Sequence, residues 1–340
     1  MNFPALENKI YFDTARSGLM YDELLKWRKD HEHLFLFQGS QFRINHDELF
    51  DKTRFEINSF FNSPNSRTYL TQNFSVGFNC LLKIIKKSSK VMMISGDYPS
   101  ITKQIISSGF DHFFIDNSWD LENQIINGIN ENNPTVFVFS IVQYIDGLLI
   151  DLDLIKKIKE KFPNILFIAD GTQYFGTKFF DFSKSKIDVI ASSGYKWMLG
   201  GYGNGFVSFN KSISLKHFNA NLNVDDLFDL FEPGHLDTLS FGSLCFSLNN
   251  LSKYGIKKIE NKINILSTYG RNRFEEKNLL SDKIEKREKH SNIFNIKADD
   301  IIHNKLLKHK IICSKRGDGL RLSFNFYNTT DEIDFLISKL

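Results

Sequence analysis

A chain of 340 residues, 41% of them hydrophobic, is long enough to bury a large core with a smaller one attached. Its formal charge of +3 is spread along the chain, which argues against nucleic acid as a partner, and no apolar run approaches the ~20 residues that cross a bilayer. The three cysteines, Cys80, Cys245 and Cys313, stand far apart; with a start, MNFPALENKIYF, that carries no charged-then-apolar leader, they suggest a cytoplasmic protein without a disulfide frame or metal site.

The first predicted element is a short strand at IYFDTARSGLM that turns into small polar residues, among them Thr14 and Arg16. Helical spacing over residues 21–33 puts Leu24, Leu25 and Trp27 on a buried side, and a second helix is expected over about 47–61. Residues 69–82, YLTQNFSVGFNCLL, read as strand, turn and helix start, with Asn73, Phe74 and Ser75 in the turn. A helix start suits an anion because its first amides lack partners and its dipole is positive there. Ser75 at such a place is equally an ordinary N-cap.

A buried strand at Val91–Ile94 leads into Gly96-Asp97-Tyr98-Pro99, and another at Val136–Val142 leads into Gln143 and Tyr144. Residues 152–161 have the pattern of a crossover helix, with Leu154, Ile155 and Ile158 turned inward. Two short apolar runs follow. Ile165–Ala169 stops at Asp170-Gly171, and Val189–Ser192 stops at Ser193-Gly194-Tyr195-Lys196. Two strand ends thus present an acid and an amine about 25 residues apart, the spacing of neighbouring elements in an α/β protein. At the mouth of a sheet the amine is desolvated, and only its neutral form attacks a carbonyl carbon. Further on, a long helical pattern runs from Ser243 to about Lys277, and the alternating charges of residues 281–292 read as a solvated surface.

In D-G-T-Q at Asp170 to Gln173, S-G-Y-K at Ser193 to Lys196, and the C-terminal run holding Arg321, Ser323, Tyr327, Asn328 and Thr329, the chain resembles the class V aminotransferase group of pyridoxal-phosphate enzymes. That group includes cysteine desulfurases, kynureninases and isopenicillin N epimerase-like proteins, and the resemblance runs from Tyr11 to Leu336. It implies fold type I: an α/β protein with a mostly parallel sheet in a large domain at 15–245, a small α+β domain at 246–340, and segment 1–14 packed near the latter.

The resemblance also implies roles. Lys196 bonds the cofactor aldehyde, Asp170 faces the ring nitrogen, Gln173 the ring hydroxyl, and Tyr98 lies over the ring. Phe74, through its main-chain amide, and Ser75 hold the phosphate; Ser193 and Tyr195 belong to the same motif as the lysine. His235 follows the glycine of F-E-P-G, where relatives reach the phosphate of a partner subunit, which would make a shared-site homodimer. Arg321 is expected to grip the α-carboxylate of an amino-acid substrate, because a guanidinium fork matches a carboxylate in two parallel bonds. Arg16 either meets an acidic substrate group or stays solvated, and Gln143 either replaces a family asparagine or faces a loop edge. Desulfurases also need a nucleophilic cysteine on a loop before this arginine, but Leu306 occupies the loop region expected here, and Cys313 reads as a buried structural thiol. Transamination is the first expectation, a β-lyase, desulfurase or epimerase reaction the second, and a non-catalytic relative the third.

Overall fold

The computed structural model of the chain describes residues 1–220 and 222–340. Its strands, in chain order, are β1 (Ile10–Tyr11), β2 (Arg67–Thr71), β3 (Lys90–Ile94), β4 (Asp111–Ile115), β5 (Val136–Ser140), β6 (Leu166–Asp170), β7 (Val189–Ser193), β8 (Gly205–Phe209), β9 (Ile293–Ile296), β10 (Ile311–Ile312), β11 (Ser314–Arg316) and β12 (Gly319–Ser323). Seven of them build one sheet in the order β2-β8-β7-β6-β5-β3-β4. From β4 through β7 neighbours run parallel, and β8 is antiparallel to both β7 and β2. This is the mostly parallel α/β sheet expected from the sequence.

Strands β5, β6 and β7 are buried at every position, as strands covered on both faces must be. Their side chains divide by alternation. Phe137, Phe139, Phe167 and Ala169 enter one core, whereas Val136, Val138, Leu166 and Ile168 enter the other. Helix α1 (Asp22–Gln38) outruns the expected 21–33 and buries Leu24 but leaves Leu25 41% exposed; α2 (His46–Phe60) and α3 (Phe74–Ile84) follow the periodicity closely. The crossover helix Leu152–Lys161 buries Ile155 and Ile158, while Leu154 points outward.

The pattern read as one helix over 243–277 is two, Thr238–Tyr254 and Ile256–Glu276, broken at Gly255 with φ of 99°. The expected boundary at 245/246 therefore falls inside a helix. A second sheet, β11-β12-β9, is antiparallel, and β1 pairs in parallel with β10, tying the N-terminal segment to the C-terminal elements. Leu306 lies fully buried in the helix Asp300–Lys308, not on a loop.

The solvated surface expected over 281–292 holds for Ser281, Asp282, Glu285, Lys286, Glu288 and Lys289, which are exposed, but not for Arg287. Arg287 is buried and forks onto Glu122, with Nη1 at 2.7 Å from Oε2 and Nη2 at 2.9 Å from Oε1, and also donates to the carbonyls of Trp119 and Leu149. His290 is half-buried, stacked on Phe294 at 4.6 Å. Local charge alternation could not reveal a partner carboxylate 165 positions away. Arg287→Ala strands Glu122 in the interior and should lower stability by about 3–5 kcal/mol. Urea unfolding would register this as an earlier midpoint. A paired Arg287→Met, Glu122→Leu variant should recover most of the loss, and an equal loss in both variants would contradict the assignment.

Candidate active site

The C-terminal ends of the parallel strands open onto one cavity, the place where open α/β sheets bind ligands. Asp170 is the last residue of β6 and Ser193 the last of β7, with Lys196 three residues beyond. All three line one cavity of about 490 Å³, together with Phe74, Ser75, Tyr98, Gln173 and Tyr195. No salt bridge of 4.0 Å or less joins Lys196 to Asp170, so the two groups face the same space without closing on each other. Burial is the first cause of both their shifts: it raises the Asp170 carboxyl and lowers the Lys196 amine, and each partly offsets the shift of the other.

The lysine sits in a turn fixed from several sides. Gly194 N donates to Asn204 O at 3.0 Å, Gly200 N closes back on Gly194 O at 2.9 Å, and Asn204 Nδ2 holds the carbonyls of Gly200, Gly201 and Ser240. Leu199 adopts a φ of 54°, a left-handed conformation costly for leucine, and these bonds impose it. Gly18 presses on the same turn. Its amide donates to Tyr195 O at 2.9 Å, and a Cβ there would stand 2.0 Å from Lys196 O.

At the start of α3, Asn73 Oδ1 caps the Val76 amide at 3.0 Å. The Phe74 amide, expected to face an anion, donates instead to Ser193 Oγ at 2.9 Å; the Ser193 hydroxyl keeps its own proton to give. Among the described residues the Ser75 amide has no partner, and the Ser75 hydroxyl donates to Ser100 Oγ at 2.7 Å. The donors left free at this helix start among the described residues are therefore the Ser75 amide and the Ser193 hydroxyl. Gln173 is largely engaged: its Oε1 accepts from the Trp197 indole and its Nε2 donates to Ala15 O, both at 2.9 Å, leaving one amide hydrogen.

Four expected residues lie off the cavity wall. Arg321 is buried behind Tyr144, with Nη1 donating to the Tyr144 carbonyl at 2.8 Å, Nη2 at 3.9 Å from Asp13 and Nε without a partner; burial lowers its pKa to about 10. Gln143 is buried beside Asp97, so it does not stand in for the family asparagine at the cavity. Arg16 is solvent-exposed, which leaves the turn-residue reading. His235 is exposed too, within hydrogen-bonding distance of Arg43 at 2.9 Å, in a separate cleft with His46, Arg54 and Glu232. Reading the sequence missed Thr172, Ser140 and Tyr202 on the wall. For Thr172 the signal was present, since it lies inside the D-G-T-Q run and takes the Ser193 amide at 3.1 Å.

A lowered amine pKa means that the neutral, reactive form of Lys196 is present at lower pH than in an ordinary lysine. Labelling by a small aldehyde and borohydride, followed by peptide mapping, should show Lys196 reacting at a pH where exposed lysines are still inert. Asp170→Asn removes the anion that favours the ammonium form and should move the profile further down; an upward move would contradict the electrostatics.

The aminotransferase class-V family model matches residues 38–336. Cysteine desulfurase SufS of Plasmodium falciparum (isolate 3D7) is 25% identical over 292 residues, covering 77% of this chain and 49% of that protein, so the chain spans about half the length of this relative. Among solved structures, the cystine C-S lyase C-DES in complex with its product cysteine persulfide superposes with a TM-score of 0.86 at 16% identity, covering 99% of this chain and 98% of that one. A C-DES mutant with glycine covalently linked to its PLP cofactor gives 0.87 at 17% identity, covering 99% and 97%. These structures share the fold type I architecture, and the family match takes in β2 to β12 together with the cavity described above: the chain belongs to the class V aminotransferase family.

Proposed function

We propose that this chain is a pyridoxal-phosphate enzyme that breaks the Cβ–S bond of a small sulfur-containing amino acid and releases the sulfur product to solvent. The observation that carries this reading is a cavity lined by both an amine and a carboxylate, with no thiol on its wall among the described residues. The residues fit the cofactor: Lys196 and Asp170 line the same cavity, Tyr98 offers a flat wall, and among the described residues the Ser75 amide at the start of α3 is unpartnered. Bound there, pyridoxal phosphate supplies an aldehyde and an electron-withdrawing ring.

The chain's own residues do the rest. Asp170 holds a proton at the ring nitrogen. Lys196, partly neutral through burial, is the base that takes the Cα proton. Arg321, buried behind Tyr144, holds the Tyr144 carbonyl and so fixes that part of the cavity wall. The names of the similar proteins favour cleavage over the transamination expected from the sequence.

Cys80, Cys245 and Cys313 are 8%, 5% and 5% exposed, and burial raises each thiol, Cys313 to about 12. None is a nucleophile that could receive sulfur. The overall change is then an elimination and hydrolysis: substrate and one water give a free thiol or persulfide, pyruvate and ammonium, with no net oxidation. A shared-site homodimer in a reducing, cytoplasmic setting completes the reading. The support for a dimer is an exposed apolar stretch, Leu34, Phe35, Leu36, Phe37 and Ile44, next to the Arg43 and His235 pair.

The test is to load the purified protein with pyridoxal phosphate, supply L-cysteine and L-cystine, and assay pyruvate, ammonium, sulfide and persulfide. Pyruvate should appear in step with the sulfur product, and Lys196→Ala should abolish both it and the visible band of the lysine-bound cofactor. Conversion of the three cysteines, each in turn, to alanine should leave the rate per folded protein within about twofold, since none lines the cavity. A persulfide found on any of the three, or keto acid formed without sulfur release, would count against the proposal.

A further inference from the structure

Asp97 stands just beyond β3, is 3% exposed, and has no cation within ion-pairing distance among the described residues. Its carboxylate is held by donors alone: Ser140 N at 2.9 Å, Ser140 Oγ at 2.5 Å and Tyr98 N at 2.6 Å. The Gln143 amide, buried and without a hydrogen-bond partner among the described residues, borders the same carboxylate. Ser140 is also the cross-strand neighbour of Asp170 in the β5–β6 register, and both Ser140 and Tyr98 line the cavity. One side chain therefore joins the tips of β3 and β5 to the wall that carries the other buried acid.

We propose that Asp97 is a positioning residue for the cofactor: it locks Tyr98 and Ser140 in place and sets a second negative charge behind Asp170, so that a ring with a protonated nitrogen is held more tightly than Asp170 alone would hold it. This rests on the pyridoxal-phosphate reading above. A buried carboxylate surrounded by donors and lacking a counter-ion is costly unless a cation arrives nearby. A ring nitrogen protonated against Asp170 is such a cation. The charged groups that face this region are Asp170 on β6 and Lys196 after β7. Burial pushes the proton affinity of Asp97 up, while the hydrogen bonds from Ser140 and from the Tyr98 amide pull it down and favour the charged form. Tyr98 gains a second benefit: with its amide tied to the carboxylate, its ring is held toward the cavity wall beside Tyr144, at 5.6 Å between centroids.

The test separates charge from shape. Asp97→Asn keeps the size and one oxygen to accept from Tyr98 N and Ser140 Oγ but removes the charge and the acceptor of Ser140 N, whereas Asp97→Ala removes all of these. Dissociation constants of the apo protein would be measured for pyridoxal phosphate and for its deaza analogue, in which the ring nitrogen is replaced by CH. Asp97→Asn should weaken pyridoxal phosphate on the order of tenfold, as loss of a nearby buried charge implies, and leave the deaza analogue within about twofold. Asp97→Ala should weaken both, and thermal unfolding of the apo proteins would show whether each variant is folded. Equal weakening of both ligands by Asp97→Asn, or no weakening of either, overturns the proposal. Failure of the wild-type protein to bind pyridoxal phosphate at all would sink the cofactor reading instead.

Discussion

The structure depends on keeping an amine and a carboxylate buried in one cavity without letting them pair. In most proteins a buried lysine and aspartate that share a wall close into a salt bridge, because an unpaired interior charge is expensive. Here Lys196 and Asp170 are anchored at the ends of adjacent strands β7 and β6, and the turn after β7 carries the lysine on its own scaffold. The unmet electrostatic demand is the site's capacity to bind a charged flat ligand.

Holding that separation takes rigidity from distant parts of the chain. The N-terminal segment reaches the lysine turn through Gly18, and β1 is in turn clasped to β10. Asp13 ties this segment to the C-terminal elements by accepting from Ser314 Oγ at 2.7 Å while standing near Arg321. On another side, the fork between Arg287 and Glu122 fastens the segment before β9 to the helix Leu121–Asn132 of the main sheet's layer. The loop after β5, which carries Tyr144 and whose carbonyl holds Arg321, is gripped by Ser291 Oγ at Gly147 O, 2.7 Å away. The residues that would touch a ligand are thus backed by hydrogen bonds that close over more than a hundred positions of sequence.

The same packing decides which plausible groups are removed from the chemistry. Cys313 is sealed beneath the C-terminal strands, and Phe74 spends its amide on Ser193. Arg16, one turn away from the buried Asp13, is left in solvent. In each case residue type alone was compatible with a role, and the surroundings withdrew or altered it.

Much of the architecture was legible in the chain. Alternating and 3.6-residue periodicities are local properties, so the buried strands β5 to β7, the helix Leu152–Lys161 and the strand-end positions of Asp170 and Lys196 could be read directly. Adjacent glycines and the short motifs around the acid and the amine reported their turns for the same reason. Tertiary structure alone decided what depends on meetings between remote segments: the burial of Arg287 in a charged-looking stretch, the withdrawal of Gln143 and Arg321 from the cavity wall, and the joining of Asp97 to Ser140. A side chain's burial and partners are set by whichever surface packs over it, and no periodicity within its own segment encodes that.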